Sequence, residues 1–299
     1  MHMHPATGSE MMPRAITHRT KGQSHGPITR LMSPSDLGQI IKPFVFLDLF
    51  DVNRHTAAAL ADMPLHPHSG VATVTVPVEG GLRYNDPDSG QGTLYYGGVE
   101  WMLAGGGVWH GKELSPADVP RITGFQLWLS LPAELENSTP VSRYIEAEHT
   151  PQVGPARVIV GAYDGAKGPV SAPAGINYLL VTLSPGEHWH YQPPAGHRVG
   201  WLALAKGSLN AETSIEEGEI VVFESNETPI SLANAGSEEA TFVLGSAIPH
   251  PYSLHLGNYS VHTSAAALEM GERHIIDMWQ KLKQEGDRQT SSGTIPVYR

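Results

Sequence analysis

Short apolar runs, divided by glycine, proline and polar residues, recur along the whole chain. KPFVFLDLF (42–50), VATVTVPV (71–78), FQLWLSL (125–131), ARVIVGAY (156–163), NYLLVTL (177–183), GWLALA (200–205), EIVVF (219–223) and ATFVLGSA (240–247) all have the length of a β-strand. Many short strands between turn signals predict an all-β sandwich or barrel. Pro77 lies inside one run and places an edge or a bulge there, because proline donates no ladder hydrogen bond. Only SAAALEMGERHIIDMWQKLKQEGD (264–287) has helical periodicity. Leu268, Ile275, Trp279 and Leu282 give it one apolar face, and Ser264 suits its N-cap. A C-terminal helix docked on a barrel is the expectation.

The pattern also repeats. TVTVPVEGGLRYND and GTLYYGGVEWMLAG in the first half find a weak echo in VGWLALAKGSLNAE and TSIEEGEIVVFES in the second. In each half a strand meets a glycine turn, at Gly80-Gly81 or Gly207, and a second glycine, Gly98 or Gly218, precedes an apolar strand. This reads as a duplicated all-β unit, with the proline-rich stretch around Thr150–Pro155 as linker. Arg83 and Tyr84, just past the first turn, are read as exposed.

Composition narrows the functions. A chain of 299 residues with 40% hydrophobic content supports a large core, and its length suits two domains. A net charge of -11 without a basic run disfavours nucleic acid. The absence of cysteine excludes disulfides, cysteine-ligated zinc, iron–sulfur clusters and a thiol nucleophile. No run is long and apolar enough for a membrane span, and the N-terminus lacks the apolar core of a secretory signal, so a cytoplasmic protein is expected.

With 16 histidines in the chain, only a constellation of them carries weight. His66-Pro67-His68 opens a strand, and residues i and i+2 of a strand share a face about 6–7 Å apart. That spacing suits two metal ligands, and equally two surface histidines. About forty residues on, VEWMLAGGGVWHGKELSP (99–116) brings three glycines, then His110 and an acid. Segments this far apart can be neighbouring strands of a barrel. Two or three histidines and a carboxylate converging inside it make a first-row transition-metal site suited to iron(II) and oxygen chemistry.

These segments resemble the pirin family of the cupin superfamily. KPFVFLDLFD (42–51), HPHSGVATVTVPVEGG (66–81), WMLAGGG (101–107) with His110, GSAIPHPY (245–252) and LGNYSVHTS (256–264) carry the likeness over roughly residues 25–285. The resemblance implies two tandem cupin (double-stranded β-helix) barrels with a C-terminal helix. The expected limits are a flexible N-terminus at 1–25, a metal-binding N-terminal barrel at 26–150, a C-terminal barrel at 151–263, and a helix and tail at 264–299. It implies one divalent transition metal, iron(II), held by His66, His68 and His110. The family's fourth ligand is the acid of a His-x-Glu pair. Here Lys112, read as a solvated lysine, stands at that position and Glu113 follows one residue later. In a regular strand Glu113 would point away, and a one-residue bulge would turn it back. Glu113 is therefore carried as candidate fourth ligand and as candidate general base. Trp101, Met102 and Trp109 are read as core or cavity wall. His188, His190 and His197 of the second half are read as structural or surface residues, and His250, His255 and His262 are assigned no chemistry.

The function that the resemblance implies is that of a metal-binding cupin acting as a dioxygenase on flavonols such as quercetin. The alternatives are a metal-dependent regulator acting through protein partners, or a metal-free two-barrel scaffold. A flavonoid-like substrate, a protein partner and a monomeric state complete the expectations.

Overall fold

The computed structural model describes residues 14–56, 64–86, 89–111, 113–117 and 119–285. Lys112 and residues 1–13 lie outside the described residues. Two seven-stranded antiparallel sheets dominate the fold. The first runs Val141–Ile145, Val99–Leu103, Val71–Glu79, Arg121–Ser130, Phe44–Asn53, Ile28–Met32, Gln23–His25. The second runs Ile16–Thr20, Ile220–Phe223, Val199–Lys206, Ala240–Ala247, Ile176–Leu183, Ala156–Val160, Gln152–Val153. The duplication is visible in this order. The neighbours 99–103, 71–79, 121–130 and 44–53 recur as 220–223, 199–206, 240–247 and 176–183.

The sheets share one apolar core. Val74, Trp101, Phe125 and Leu127 of the first join Tyr178, Leu180, Trp201 and Val243 of the second in a single buried cluster. Such a cluster binds the two halves into one packed body. The opposite face of each sheet looks into its own barrel. In the second barrel that interior is filled by Leu179, Trp189, Tyr191, Leu204 and Phe242. In the first, polar residues replace them: Thr73, Thr75, Glu100, His68 and His110 are all buried.

Pro77 sits where Val71–Glu79 has already left its Val99–Leu103 neighbour, whose pairing stops at Thr75, and beside a register shift against Arg121–Ser130. Three expectations change. The stretch 1–25, expected to be flexible, contains two strands. Ile16–Thr20 pairs with Ile220–Phe223 of the opposite barrel, and Gln23–His25 pairs with Ile28–Met32. Arg14 anchors the entry, its guanidinium donating to the carbonyls of Glu224 and Arg198. Tyr84 is buried rather than exposed, because Leu82–Asp86 alternates and turns Leu82, Tyr84 and Asp86 inward. Its ring stacks on Tyr144 at 4.7 Å.

The C-terminal helix spans Ala265–Glu285 and rests on the first barrel through Ile275 and Met278. Trp279, expected on the buried face, is more than a third exposed and stacks on Trp109 at 4.6 Å. Among the described residues no helix is long and apolar enough to cross a membrane.

Candidate metal centre

His66–His68 and Val108–His110 form a two-stranded antiparallel ladder in which His110 stands directly opposite His66. Directly opposed residues project to the same face, as do His66 and His68. All three imidazoles therefore converge, with ring centroids 4.5–5.0 Å apart. One nitrogen from each lies within 4.8 Å of the others, and no other group of histidines and acids comes together in this way among the described residues.

The second nitrogen of each ring has its own partner. His66 Nδ1 donates to the Pro64 carbonyl at 3.0 Å and His68 Nδ1 to the Tyr259 carbonyl at 3.3 Å. His110 Nδ1 meets Glu113 Oε1 at 2.5 Å. This arrangement directs every Nε2 toward the common space. The Nε2 atoms of His68 and His110 are buried with no hydrogen-bond partner, a costly state for a polar atom and the usual one for a ligand awaiting an ion. Three imidazoles with Nε2 convergent and Nδ1 fixed from behind suit a divalent transition metal once each Nε2 is free of its proton.

Glu113 reaches the cluster by an unexpected contact. The strand ends at His110, and Gly111 at φ +133° breaks the two-residue period that would have aimed Glu113 outward. A Cβ on Gly111 would stand 2.9 Å from the Pro64 carbonyl and 3.1 Å from His66 Nδ1, so only glycine allows this turn against the histidine. Glu113 turns inward, with Oε1 on His110 and Oε2 accepting the Gly111 N–H at 2.8 Å. It stands behind His110, outside the group of three nitrogens that meet in the cluster.

The protonation pattern follows. Burial, with the charge of His110, lowers His66 to about 4, and burial holds His68 well below its ordinary value. Burial also disfavours charge on His110, but the Glu113 carboxylate outweighs it and raises its pKa. Burial would raise Glu113, yet the His110 charge and hydrogen bond, with the backbone N–H of Gly111, pull it down to about 2. Burial thus favours the neutral form of His66 and His68, while the Glu113 carboxylate favours the charged form of His110. Metal binding is expected to release at most about one proton near neutral pH, from His110, and to tighten as pH rises through and above 6.5, the ordinary histidine value that Glu113 raises here, since a ligating nitrogen must first lose its proton. Calorimetric titration in buffers of different ionisation enthalpy measures this. Release of two or more protons near pH 7 would contradict the assignment.

Two residues escaped the sequence reading. Glu100, opposite Thr75 on the neighbouring strand, is buried inside the barrel. Burial raises it to about 7, with the charge of His110 and the 3.2 Å hydrogen bond from the Thr73 hydroxyl working the other way. Its position in an apolar-looking strand, VEWML, was the available signal. Tyr259 belongs to the segment following the second barrel, yet its ring lies 6.0 Å from His66 and 6.2 Å from His68.

The second barrel holds no counterpart. His188 and His190 share one face of their strand, but it is the exposed one, and Trp189 and Tyr191 occupy the inside. His197 Nδ1 bonds Ser246 at 2.9 Å.

Two spaces adjoin the histidines. An inner cavity of about 80 Å³ is lined by His66, His110, Glu113, Thr75, Gln126 and Asp48. An outer groove of about 540 Å³ also touches His66, Asp48 and Gln126, and runs between Phe46 and Trp128 on one side and Asn258 and Tyr259 on the other.

Two β-barrels sharing a core, with a histidine cluster inside one of them, define a two-barrel protein of the cupin class. The chain belongs to the pirin family. The Pirin family model matches residues 27–129. A pirin-like protein of Caulobacter vibrioides is 34% identical over 211 residues, covering 67% of this chain and 75% of that protein. Among solved structures, a quercetin 2,3-dioxygenase from Acinetobacter baumannii superposes with a TM-score of 0.76 at 24% identity, over 91% of this chain and 98% of that one. The bacterial pirin YhhW of Escherichia coli, solved with nickel(II), gives 0.56 at 18% identity, over 79% and 96%.

Proposed function

We propose that His66, His68 and His110 hold one divalent transition metal ion, iron(II) in the working protein, and that the site catalyses dioxygenation of a flavonol such as quercetin. The observation that carries the reading is the pair of orphaned, buried Nε2 atoms on His68 and His110, converging with His66 in a barrel whose sister barrel is packed solid. The Acinetobacter dioxygenase shares the fold, and the nickel(II) of YhhW is an ion of the same class.

The metal, when bound, supplies Lewis-acid stabilisation of the enolate that oxygen attacks. The remaining work falls to the chain. Ligand-sized sites span about 300–1,000 Å³. The inner cavity is too small for a flavonol and the outer groove fits one, so the substrate lies in the groove and reaches inward past His66. Phe46 and Trp128, stacked on each other at 4.1 Å, make one side of the groove apolar, and Arg30, 4.2 Å over the Phe46 ring, adds a cation at the rim. Glu113, held at about 2 by His110, is a weak base, and its role is to fix the His110 ring. Asp48 lines both spaces and burial raises it despite its 2.7 Å bond to Arg30, which makes it the better-placed acceptor of the flavonol proton.

The test is turnover. Protein loaded with iron(II), manganese(II) or nickel(II) is incubated in air with a panel of flavonols and loss of the flavonol absorbance is followed. No turnover by any metal form sinks the dioxygenase reading. A Glu113→Ala variant is expected to weaken metal binding about 10–100-fold, the usual cost of removing the group that orients a ligating histidine. Metal titration of the two proteins side by side measures it.

A further inference from the structure

Outside the histidine cluster, the most elaborate buried polar array joins the segment Tyr259–Thr263 to the strand end that carries His68. Ser69, the residue after His68, bonds Ser260 Oγ at 2.9 Å and His262 Nε2 at 2.9 Å. His262 Nδ1 in turn donates to Glu136 Oε2 at 3.1 Å. Glu136 also accepts from the Thr263 N–H at 2.7 Å and the Thr263 hydroxyl at 2.6 Å. Ser69, His262 and Glu136 are 0%, 1% and 3% exposed. The order serine–histidine–carboxylate is that of a hydrolase triad, but a hydroxyl sealed in this way has no path to a substrate. Its work is internal.

The surroundings are shaped for the contact. Ser69 pairs with Ser260 in an isolated parallel bridge, and the Val261 N–H donates to the Ser69 carbonyl at 3.2 Å. A Cβ on Gly70, at φ +71°, would stand 2.0 Å from the Val261 carbonyl. A Cβ on Gly271 of the C-terminal helix would stand 2.6 Å from Ser69 Oγ and 2.7 Å from His262 Nε2. One step before this array is Tyr259, a non-glycine residue at φ +62°, a conformation that persists only where neighbours impose it. Its carbonyl is the acceptor of His68 Nδ1.

We propose that the Ser69–His262–Glu136 chain is a positioning device. It clamps the Tyr259–Thr263 segment so that the Tyr259 carbonyl holds the His68 ring with Nδ1 as donor and Nε2 facing the cluster. A segment from beyond the second barrel thereby sets how tightly the first barrel binds its metal. Ser69, His262 and Glu136 are positioning residues, not ligands. Burial lowers the pKa of His262, against the pull of Glu136. The proposal rests on the metal-binding reading above.

The experiment titrates nickel(II) into four metal-free full-length proteins: wild type, Ser69→Ala, His262→Gln and Val158→Ala. Val158 is fully buried in the second barrel's own core, so the last variant reports a general loss of stability. Nitrogen-15 NMR of the metal-free proteins reads the His68 tautomer. The expected result is dissociation constants weakened about tenfold or more in Ser69→Ala and His262→Gln, unchanged in Val158→Ala, with the Nδ1–H tautomer of His68 dominant in wild type and mixed in the first two. Wild-type binding with equal constants in all four proteins, or equal weakening in Val158→Ala, overturns the clamp and leaves the metal site standing. No nickel bound by wild type overturns both.

Discussion

Replacing His66 and His110 together by alanine is expected to take the protein from about one transition-metal ion per chain to background, with affinity lowered by at least about three orders of magnitude. One imidazole cannot retain an ion that three were arranged to share, and His68 has only its Nε2 to offer because Nδ1 is committed to Tyr259. Removing His110 takes the paired imidazole away from the buried Glu113, so a melting curve run beside the metal assay separates metal loss from unfolding. The pair stands on a two-stranded ladder at the barrel mouth, away from the shared core around Trp101, Phe125, Tyr178 and Trp201. The matched control is His188→Ala with His190→Ala, which removes the same i, i+2 pair from the exposed face of the second barrel and is expected to leave metal content unchanged. Elemental analysis of untagged proteins prepared without chelators decides it. Metal retained by the first double variant, or lost from the control, would place the ion elsewhere.

What the sequence made legible was whatever a local period controls. His66 and His68 share a face because strands have a period of two, and the ladder needed only the forty-residue return to His110. The duplication of an all-β unit was likewise visible in the spacing of glycines, though the strand order was not. Glu113 was harder. Its direction depends on the φ of Gly111, which no alternation rule contains, and it came to rest on His110 Nδ1. Glu100 was hidden for a different reason. In VEWML an acid between apolar residues looks solvent-facing, yet this barrel's interior is polar where its sister's is apolar, so the inward position is the one that admits it. Tyr259 and His262 were out of reach altogether. Their relation to His68 crosses some 190 residues of chain and exists only once both barrels have formed.

Replacing Glu100 by glutamine is expected to stabilise the metal-free protein in a pH-dependent way, by up to about 3 kcal/mol more at pH 8 than at pH 4. The sign follows from linkage. Burial raises the carboxyl from 4.5 to about 7, so the folded state holds this proton more tightly than the unfolded one. Below pH 4.5 both states are protonated and the group is neutral in effect. As pH rises from there to about 7 the unfolded chain ionises first and folding loses free energy. Above 7 the loss is complete, about 1.4 kcal/mol for each unit of the shift. Glutamine keeps the carbonyl that accepts from Thr73 and cannot ionise, so the penalty disappears. Its amide must find new partners, a cost that is equal at every pH, and the difference between pH 4 and pH 8 isolates the carboxyl. Chemical denaturation of both proteins at the two pH values gives that difference. A constant gap would show that Glu100 is not held protonated. The same experiment with metal present turns the result into an argument about the site. A divalent cation at the histidines favours the ionised carboxyl and lowers its pKa. The penalty should then shrink in the loaded wild type, and the advantage of glutamine with it. A buried acid that weakens the empty barrel yet is tolerated in the filled one is what a barrel built around a cation would carry.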